Sequence, residues 1–434
     1  MTRLALAIIL AAALDATSSI AAPAEAAWVR QRLDSGLVVL AQENPAATAV
    51  AVSVLIRVGS RWESDDNAGI TNLLQQVLVK GTTSRSAFDI AEAAEAMGGS
   101  LSASGDTDYA EIKGTALARH WKALLALMAD VTLRPALPPT EIDNERRVIA
   151  SGIKNRLDQP FPLTYDTMMG RLFRSHPYGA PSLGRAAAVE RLDRQALAAH
   201  YDRYYRAGRI IVAVSGQVPA REAANEVSRL FGSAPRERET GDAPLGVPSA
   251  ALDRLVINRP AAQAQIMLGF LAPPIGHPDY AAVKVLQMAL GGGMAGRLFS
   301  ELRDKQGLAY STGALYPARV EPGFFLAFIG TAPASAGKAE DGMRAQVDRI
   351  RSERVSEGEL DRAKAYLLGQ FALDRRTNAR LAWYAAFYEV AGVGHDFADR
   401  YVRAIEAVSA DDVLRVARAY LTSPTVVRLE PVPR

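Results

Sequence analysis

Runs of β-branched residues and runs with helical spacing alternate along this chain in two successive rounds. Segments 37–40 and 49–56 are rich in valine, leucine and isoleucine and read as strands. A helix is expected over 68–79, where Ile70, Leu73, Leu74, Val77 and Leu78 fall at i, i+3, i+4, i+7 and i+8. That spacing lays a single apolar stripe along a helix. A second helix at 87–97 stops at Gly98-Gly99. A strand pair at 100–104 and 108–116 then leads into long helices at 121–133 and 139–156. The first round closes with a buried-strand pattern at 210–214 and a short helix at 219–231.

Residues 235–250 are rich in proline, glycine and charge and read as a linker. The plan then repeats. Gly114-Thr115-Ala116 has its counterpart in Gly330-Thr331-Ala332, and Glu141-Ile142-Asp143 in Glu359-Leu360-Asp361, at nearly equal spacing. Both rounds end on a strand-like run, the second at 425–429. The expectation is an α+β protein of two homologous domains, 27–234 and 251–434. Each would be a mixed, mainly antiparallel sheet with helices on one face, and the two would enclose a central cavity.

Composition narrows the function classes. Of the 434 residues 49% are hydrophobic and 22% charged, which is globular usage. The formal net charge is +3, and basic residues are interspersed with acidic ones, so a nucleic-acid surface is not expected. Cysteine is absent, which excludes disulfides, thiolate catalysis and cysteine-based zinc sites. At the N-terminus Arg3 precedes an apolar run at 4–14, and Ala24-Glu25-Ala26 has the form of a cleavage site. Residues 1–26 therefore read as a signal peptide, and the apolar run is too short to span a membrane. A periplasmic or secreted location is expected, with no membrane span after cleavage.

The chemistry-bearing segments come next. Residues 69–82 read GITNLLQQVLVKGT, and with the flanking Ala68-Gly69 and Lys80-Gly81-Thr82 this stretch resembles the active-site helix of the pitrilysin/insulinase family. That family carries an inverted H-x-x-E-H motif, in which two histidines at i and i+4 bind zinc and the glutamate activates a zinc-bound water. Here Asn72, Gln75 and Gln76 stand at those three positions. Neutral amides are weak zinc ligands and take no proton from water. The family's third ligand, a glutamate on a later helix, falls near Ser151-Gly152, where no carboxylate stands. The five histidines, His120, His176, His200, His277 and His395, make no metal-binding spacing. No catalytic residue of its own and no metal are expected on this chain.

A second family signature survives. Residues 291–310 read GGGMAGRLFSELRDKQGLAY, with a helix expected over 297–305 and a strand starting at 308. The resemblance makes Arg303 and Tyr310 a pair that holds substrate and stabilises a tetrahedral intermediate, since a guanidinium and a phenol are donors for a developing oxyanion. It also makes the strand at 100–104, with Ser102 and Ala103, an edge on which extended substrate pairs. The segment His176-Pro177-Tyr178-Gly179 is likewise similar to the family, with a local structural role.

The resemblance implies a non-catalytic subunit of a heterodimeric zinc metallopeptidase. Zinc and an intact H-x-x-E-H motif would sit on a sister subunit, to which Arg303 and Tyr310 contribute. The alternative is a peptide-binding or assembly protein of the same fold with no part in proteolysis. A peptidase with relocated metal ligands is disfavoured by the histidine spacing.

Overall fold

The computed structural model describes residues 27–433 except 238–244, 247 and 252, so the expected signal peptide and the middle of the linker lie outside the described residues. The first sheet contains β1 (Val29–Arg32), β2 (Val38–Glu43), β3 (Ala49–Ile56), β4 (Ser100–Gly105), β5 (Ala110–Leu117) and β6 (Ile210–Gly216). Its order is β1-β2-β6-β3-β5-β4. Only β2 and β6 run parallel; the other neighbours are antiparallel. The second sheet contains β7 (Arg254–Arg259), β8 (Ala264–Ala272), β9 (Ser311–Leu315), β10 (Gly323–Thr331) and β11 (Thr425–Pro431), in the order β7-β11-β8-β10-β9. Here β7 and β11 form the parallel pair.

Strand for strand, β2-β6-β3-β5-β4 and β7-β11-β8-β10-β9 are one topology used twice. Of the repeated Gly-Thr-Ala triplets, the first lies inside β5, whereas Gly330 and Thr331 close β10 and Ala332 follows it. A side chain at either glycine would make a neighbouring side chain shift. A Cβ on Gly114 would meet Met128 Sδ at 2.8 Å, and one on Gly330 would meet the Gln265 amide nitrogen at 2.8 Å.

Each half's own helices cover one face of its sheet, as the periodicity predicts. Residues of the stripe at 70–78 are buried together with β3, β5 and the helix Trp121–Leu133. The opposite face of each sheet is filled reciprocally by one helix from the other half. The helix Asn378–Val390 lies across β3 and β6. It brings Val38, Leu40, Leu55, Ile211 and Ala213 into the second half's core. The helix Pro160–Phe173 lies across β8 and β11. Its Met168, Met169, Leu172 and Phe173 pack with Met267, Phe324, Leu326 and Val427. Burial on both faces is why β3 and β6 are almost continuously apolar and buried instead of alternating. At ~2 kcal/mol for each large apolar side chain removed from water, this exchange locks the halves into one body.

Ion pairs reinforce the exchange. Arg30 makes a bidentate contact to Glu389 at 2.8 and 3.1 Å, and Arg57 donates to the Glu389 carbonyl at 2.8 Å. Among the described residues no helix is long and apolar enough to cross a membrane.

Candidate functional site

The helix Ile70–Leu78 forms where the periodicity places it. Its N-cap residue, Gly69, has φ +102° and no side chain to cap with, and a Cβ there would lie 2.7 Å from Val189. The cap comes instead from Glu63, whose carboxylate accepts from the Gly69 and Thr71 amides at 2.6 and 2.9 Å. Burial pushes the Glu63 carboxyl up, against the pull of those two amides. At the other end Lys80 pairs with Glu145 at 3.0 Å, and Thr82 donates to Asp130 at 2.8 Å. The Ala68-Gly69 and Lys80-Gly81-Thr82 flanks thus fasten both ends of the helix.

The three motif positions do not form the open face that a line of amides beside a cavity would make. Gln75 is fully buried and donates to the Tyr205 hydroxyl, leaving its own carbonyl oxygen without a partner. Asn72 is buried beneath the end of β4, where a Cβ on Gly105 would lie 3.4 Å from its backbone. Gln76 alone is half-buried, and its amide reaches the Ala103 carbonyl at 3.4 Å. Asn72 and Gln75 thus pack as ordinary polar core residues, and Gln76 lies against β4.

The later helix, Pro139–Asp158, crosses this one and places Ser151 and Gly152 on an exposed groove of about 660 Å³. That groove is lined by Asn144, Arg147, Val148, Ser151, Gly152 and Asn155. None of these is a carboxylate. His200 lies against Thr71 at 3.4 Å, but burial lowers its pKa to about 3 and its neighbour Tyr204 encloses it. Among the described residues no three histidine, cysteine, aspartate or glutamate side chains are grouped to hold a metal ion. The donor set does not fit zinc.

Ser102 and Ala103 lie in β4, the last strand of the first sheet, with Ser102 exposed and Ala103 buried. The structure therefore brings Gln76 and the β4 edge together. Arg303 and Tyr310 belong to the corresponding part of the second half. The expected helix at 297–305 is present, but from Phe299 to Lys305 it widens into π geometry, a rare form associated with functional sites. A bidentate Arg297–Glu359 pair at 2.8 and 3.1 Å fixes its start and holds the Glu359 carboxyl at about 2. The strand starts at Ser311 and not at 308. Before it, the backbone is pinned by Leu308 N–H to the Leu302 carbonyl at 2.7 Å and Tyr310 N–H to the Gly330 carbonyl at 2.8 Å. The side chains stay free: Tyr310 is 58% exposed, and the exposed Arg303 guanidinium rests 4.8 Å over the Phe299 ring. No hydrogen bond, ion pair or ring contact joins either of them to the motif helix or to β4 among the described residues.

Sequence reasoning missed the polar clamp between the halves. Asp108, buried in the turn after β4, accepts from the Tyr178 hydroxyl at 2.6 Å, Arg61 at 3.3 Å and the Val320 amide at 3.2 Å. Arg319 stands 4.0 Å away and pairs with Asp106 at 2.7 Å. Burial pushes the Asp108 carboxyl up, while Arg319, Tyr178 and Arg61 pull it back. The Tyr178 hydroxyl also accepts from the Glu321 amide at 3.0 Å, and His176 Nδ1 accepts from the Tyr178 amide at 3.2 Å. The His-Pro-Tyr-Gly turn therefore has the local structural role expected of it, with a consequence across the junction. Its four-residue pattern was the available signal.

Two α+β units of one repeated strand order, with a helix that resembles the inverted-motif helix but lacks its zinc-binding side chains, define the class as zinc-peptidase-like. Comparison with known proteins agrees. Residues 38–185 match the family described as insulinase (peptidase family M16), and residues 191–367 match the peptidase M16 inactive domain. An uncharacterized zinc protease of Mycobacterium tuberculosis is 32% identical over 405 residues, covering 91% of this chain and 90% of that protein. One from Rickettsia felis is 27% identical over 403 residues, covering 91% and 95%. The crystal structure of a peptidase M16 inactive domain from Pseudomonas fluorescens has a TM-score of 0.87 at 21% identity, covering 94% of this chain and 98% of that one. A protease structure from Helicobacter pylori gives 0.86 at 23%, covering 94% and 100%. This chain belongs to the insulinase (M16) peptidase family.

Proposed function

We propose that this chain is the non-catalytic subunit of a heterodimeric zinc metallopeptidase. It supplies Arg303 and Tyr310 to the active site of a sister subunit that carries zinc on an intact H-x-x-E-H motif. One contrast carries the reading: the motif positions are neutral amides, two of them buried and the third half-buried against β4, while the arginine and tyrosine remain exposed on a pinned backbone. Exposed donors held on a fixed frame suit an oxyanion that forms elsewhere than on this chain. Extended peptide substrate would pair along the β4 edge at Ser102 and Ala103. The expected leader at 1–26 supports a location in the periplasm or outside the cell for the pair of subunits.

The test is peptide cleavage with zinc quantified, by the purified chain alone and with a homologous chain bearing H-x-x-E-H. Cleavage is expected only in the mixture, and Arg303→Ala or Tyr310→Phe is expected to lower kcat by ~10²–10³-fold without dissolving the complex. Zinc-dependent cleavage by this chain alone, or full activity with both variants, overturns the proposal. Absence of both cleavage and complex formation favours the peptide-holding or assembly role.

A further inference from the structure

A cleft of about 500 Å³ opens where the helix Pro160–Phe173 of the first half meets β9 of the second. Its volume is that of a small-molecule site. The walls are aromatic: Phe161 and Tyr165 stack at 6.4 Å, and Phe324 meets Tyr165 edge-on at 6.0 Å. Three cations line it, and two are spoken for. Arg156 grips Asp166 through two 2.7 Å bonds, and Arg319 pairs with Asp106.

The third, Lys284, has no carboxylate within ion-pair distance among the described residues. Its ammonium donates to the Tyr316 carbonyl at 2.7 Å and lies 5.6 and 5.4 Å from the Tyr280 and Tyr316 ring centroids. One of three donor positions is used. Burial alone lowers its pKa to about 8, so near neutral pH the group is still mainly charged. A half-buried cation without a counter-ion carries a desolvation cost that a bound carboxylate would offset. Capping a strand carbonyl does not require that charge, because Gln287, one turn along the same helix, caps the Ala314 carbonyl with a neutral amide at 2.7 Å.

We propose that this cleft binds a small apolar carboxylate, either a free acid or the C-terminus of a peptide, with Lys284 as its counter-ion and the Phe161, Tyr165 and Phe324 rings around its side chain. A single ammonium with two spare donors and aromatic walls suits a monocarboxylate. A phosphate would call for more cations or a guanidinium fork. The site does not depend on a sister subunit, so it stands or falls apart from the proposed function.

The experiment is calorimetric titration of the purified chain with N-acetylphenylalanine and with a pentapeptide ending in phenylalanine, each as acid and as C-terminal amide. The acids are expected to bind at least tenfold more tightly than the amides. Lys284→Gln, which keeps a donor for the Tyr316 carbonyl, is expected to retain the wild-type Tm and lose that discrimination. Binding of the peptide acid alone assigns the site to chain termini, whereas binding of both acids assigns it to the free carboxylate. Equal binding of acid and amide, undiminished binding by Lys284→Gln, or no binding of any probe overturns the proposal.

Discussion

The two halves of this chain share one strand order but treat its exposed edge in opposite ways. In the second half the Ala314 carbonyl of the edge strand β9 and the Tyr316 carbonyl just beyond it are taken by Gln287 and Lys284, both at 2.7 Å. In the first half, among the described residues, the side-chain contact to a β4 carbonyl is the long one from Gln76 to Ala103, at 3.4 Å. An edge strand with unclaimed backbone groups is a template for another extended chain, and side-chain caps remove that option. The duplicated topology has therefore been divided in its uses: one edge is left able to pair and the other is closed. The motif helix shows the same division. Its amides turn inward to Tyr205 and β4, whereas the segment leading into β9 presents Arg303 and Tyr310 outward.

The largest effect should come from the clamp that makes the two halves one unit. Asp108 joins Tyr178 and Arg61 of the first half to the Val320 amide and Arg319 of the second. Asp108→Ala removes the acceptor of the Tyr178 hydroxyl and the Val320 amide and one of two carboxylates near each of Arg61 and Arg319, and is expected to cost ~3–5 kcal/mol. Chemical denaturation would read it as a lower midpoint. A loss under ~1 kcal/mol would mean that the reciprocal helices alone hold the halves together.

The next effect separates the halves by pH. The first half buries His200 against the motif helix, while His277 and His395 of the second half are more exposed. The folded pKa of His200 is lowered to about 3, by burial first and by Arg203 second, against ~6.5 in an unfolded chain. The unfolded state takes the proton more readily, so the contribution is fully present above ~6.5 and is lost as pH falls toward ~3. Stability should drop by about 1.4 kcal/mol per pH unit through that window. Urea unfolding at pH 7, 6 and 5 would show the slope, and His200→Gln should remove it. A slope unchanged in the variant would assign the acid sensitivity to other groups.

Much of this was legible in the chain, for identifiable reasons. The helix at 70–78 announced itself because Ile70, Leu73, Leu74, Val77 and Leu78 keep a helical period while the buried positions between them, Thr71, Asn72 and Gln75, are polar. The helix Asn378–Val390 did not, because it is sandwiched between the second half and the first sheet. Leu381, Ala382, Ala385, Ala386, Phe387 and Tyr388 are all buried, and no polar face breaks the pattern. The helix Pro160–Phe173 starts with Pro160-Phe161-Pro162, which reads as a turn, yet proline is well suited to a helix's first positions. The loss of zinc ligands was readable from residue types alone. That Gln75 would turn to Tyr205 was not, because the partner lies far along the chain and the pairing exists only once the helix Arg194–Tyr204 has docked. The clamp at Asp108 is hidden for the same reason.

The smallest effect tests the edge comparison most directly, through a matched pair of substitutions. Gln76→Ala and Gln287→Ala each remove one amide that points from a helix to the carbonyl of the neighbouring edge strand. In the second half the bond is short and partly buried, so its loss should cost ~1 kcal/mol, within the usual range for a net hydrogen bond. In the first half a 3.4 Å contact has little to lose, and Gln76→Ala should fall within ~0.5 kcal/mol of the parent. Paired thermal denaturation would resolve the difference. Added extended peptide should then protect backbone amides of β4 from hydrogen exchange in both variants. It should protect those of β9 only in Gln287→Ala, where a carbonyl has been released. Equal costs at the two sites, or peptide protection of β9 in the parent chain, would mean that the edges are not differently used and that their resemblance in topology extends to function.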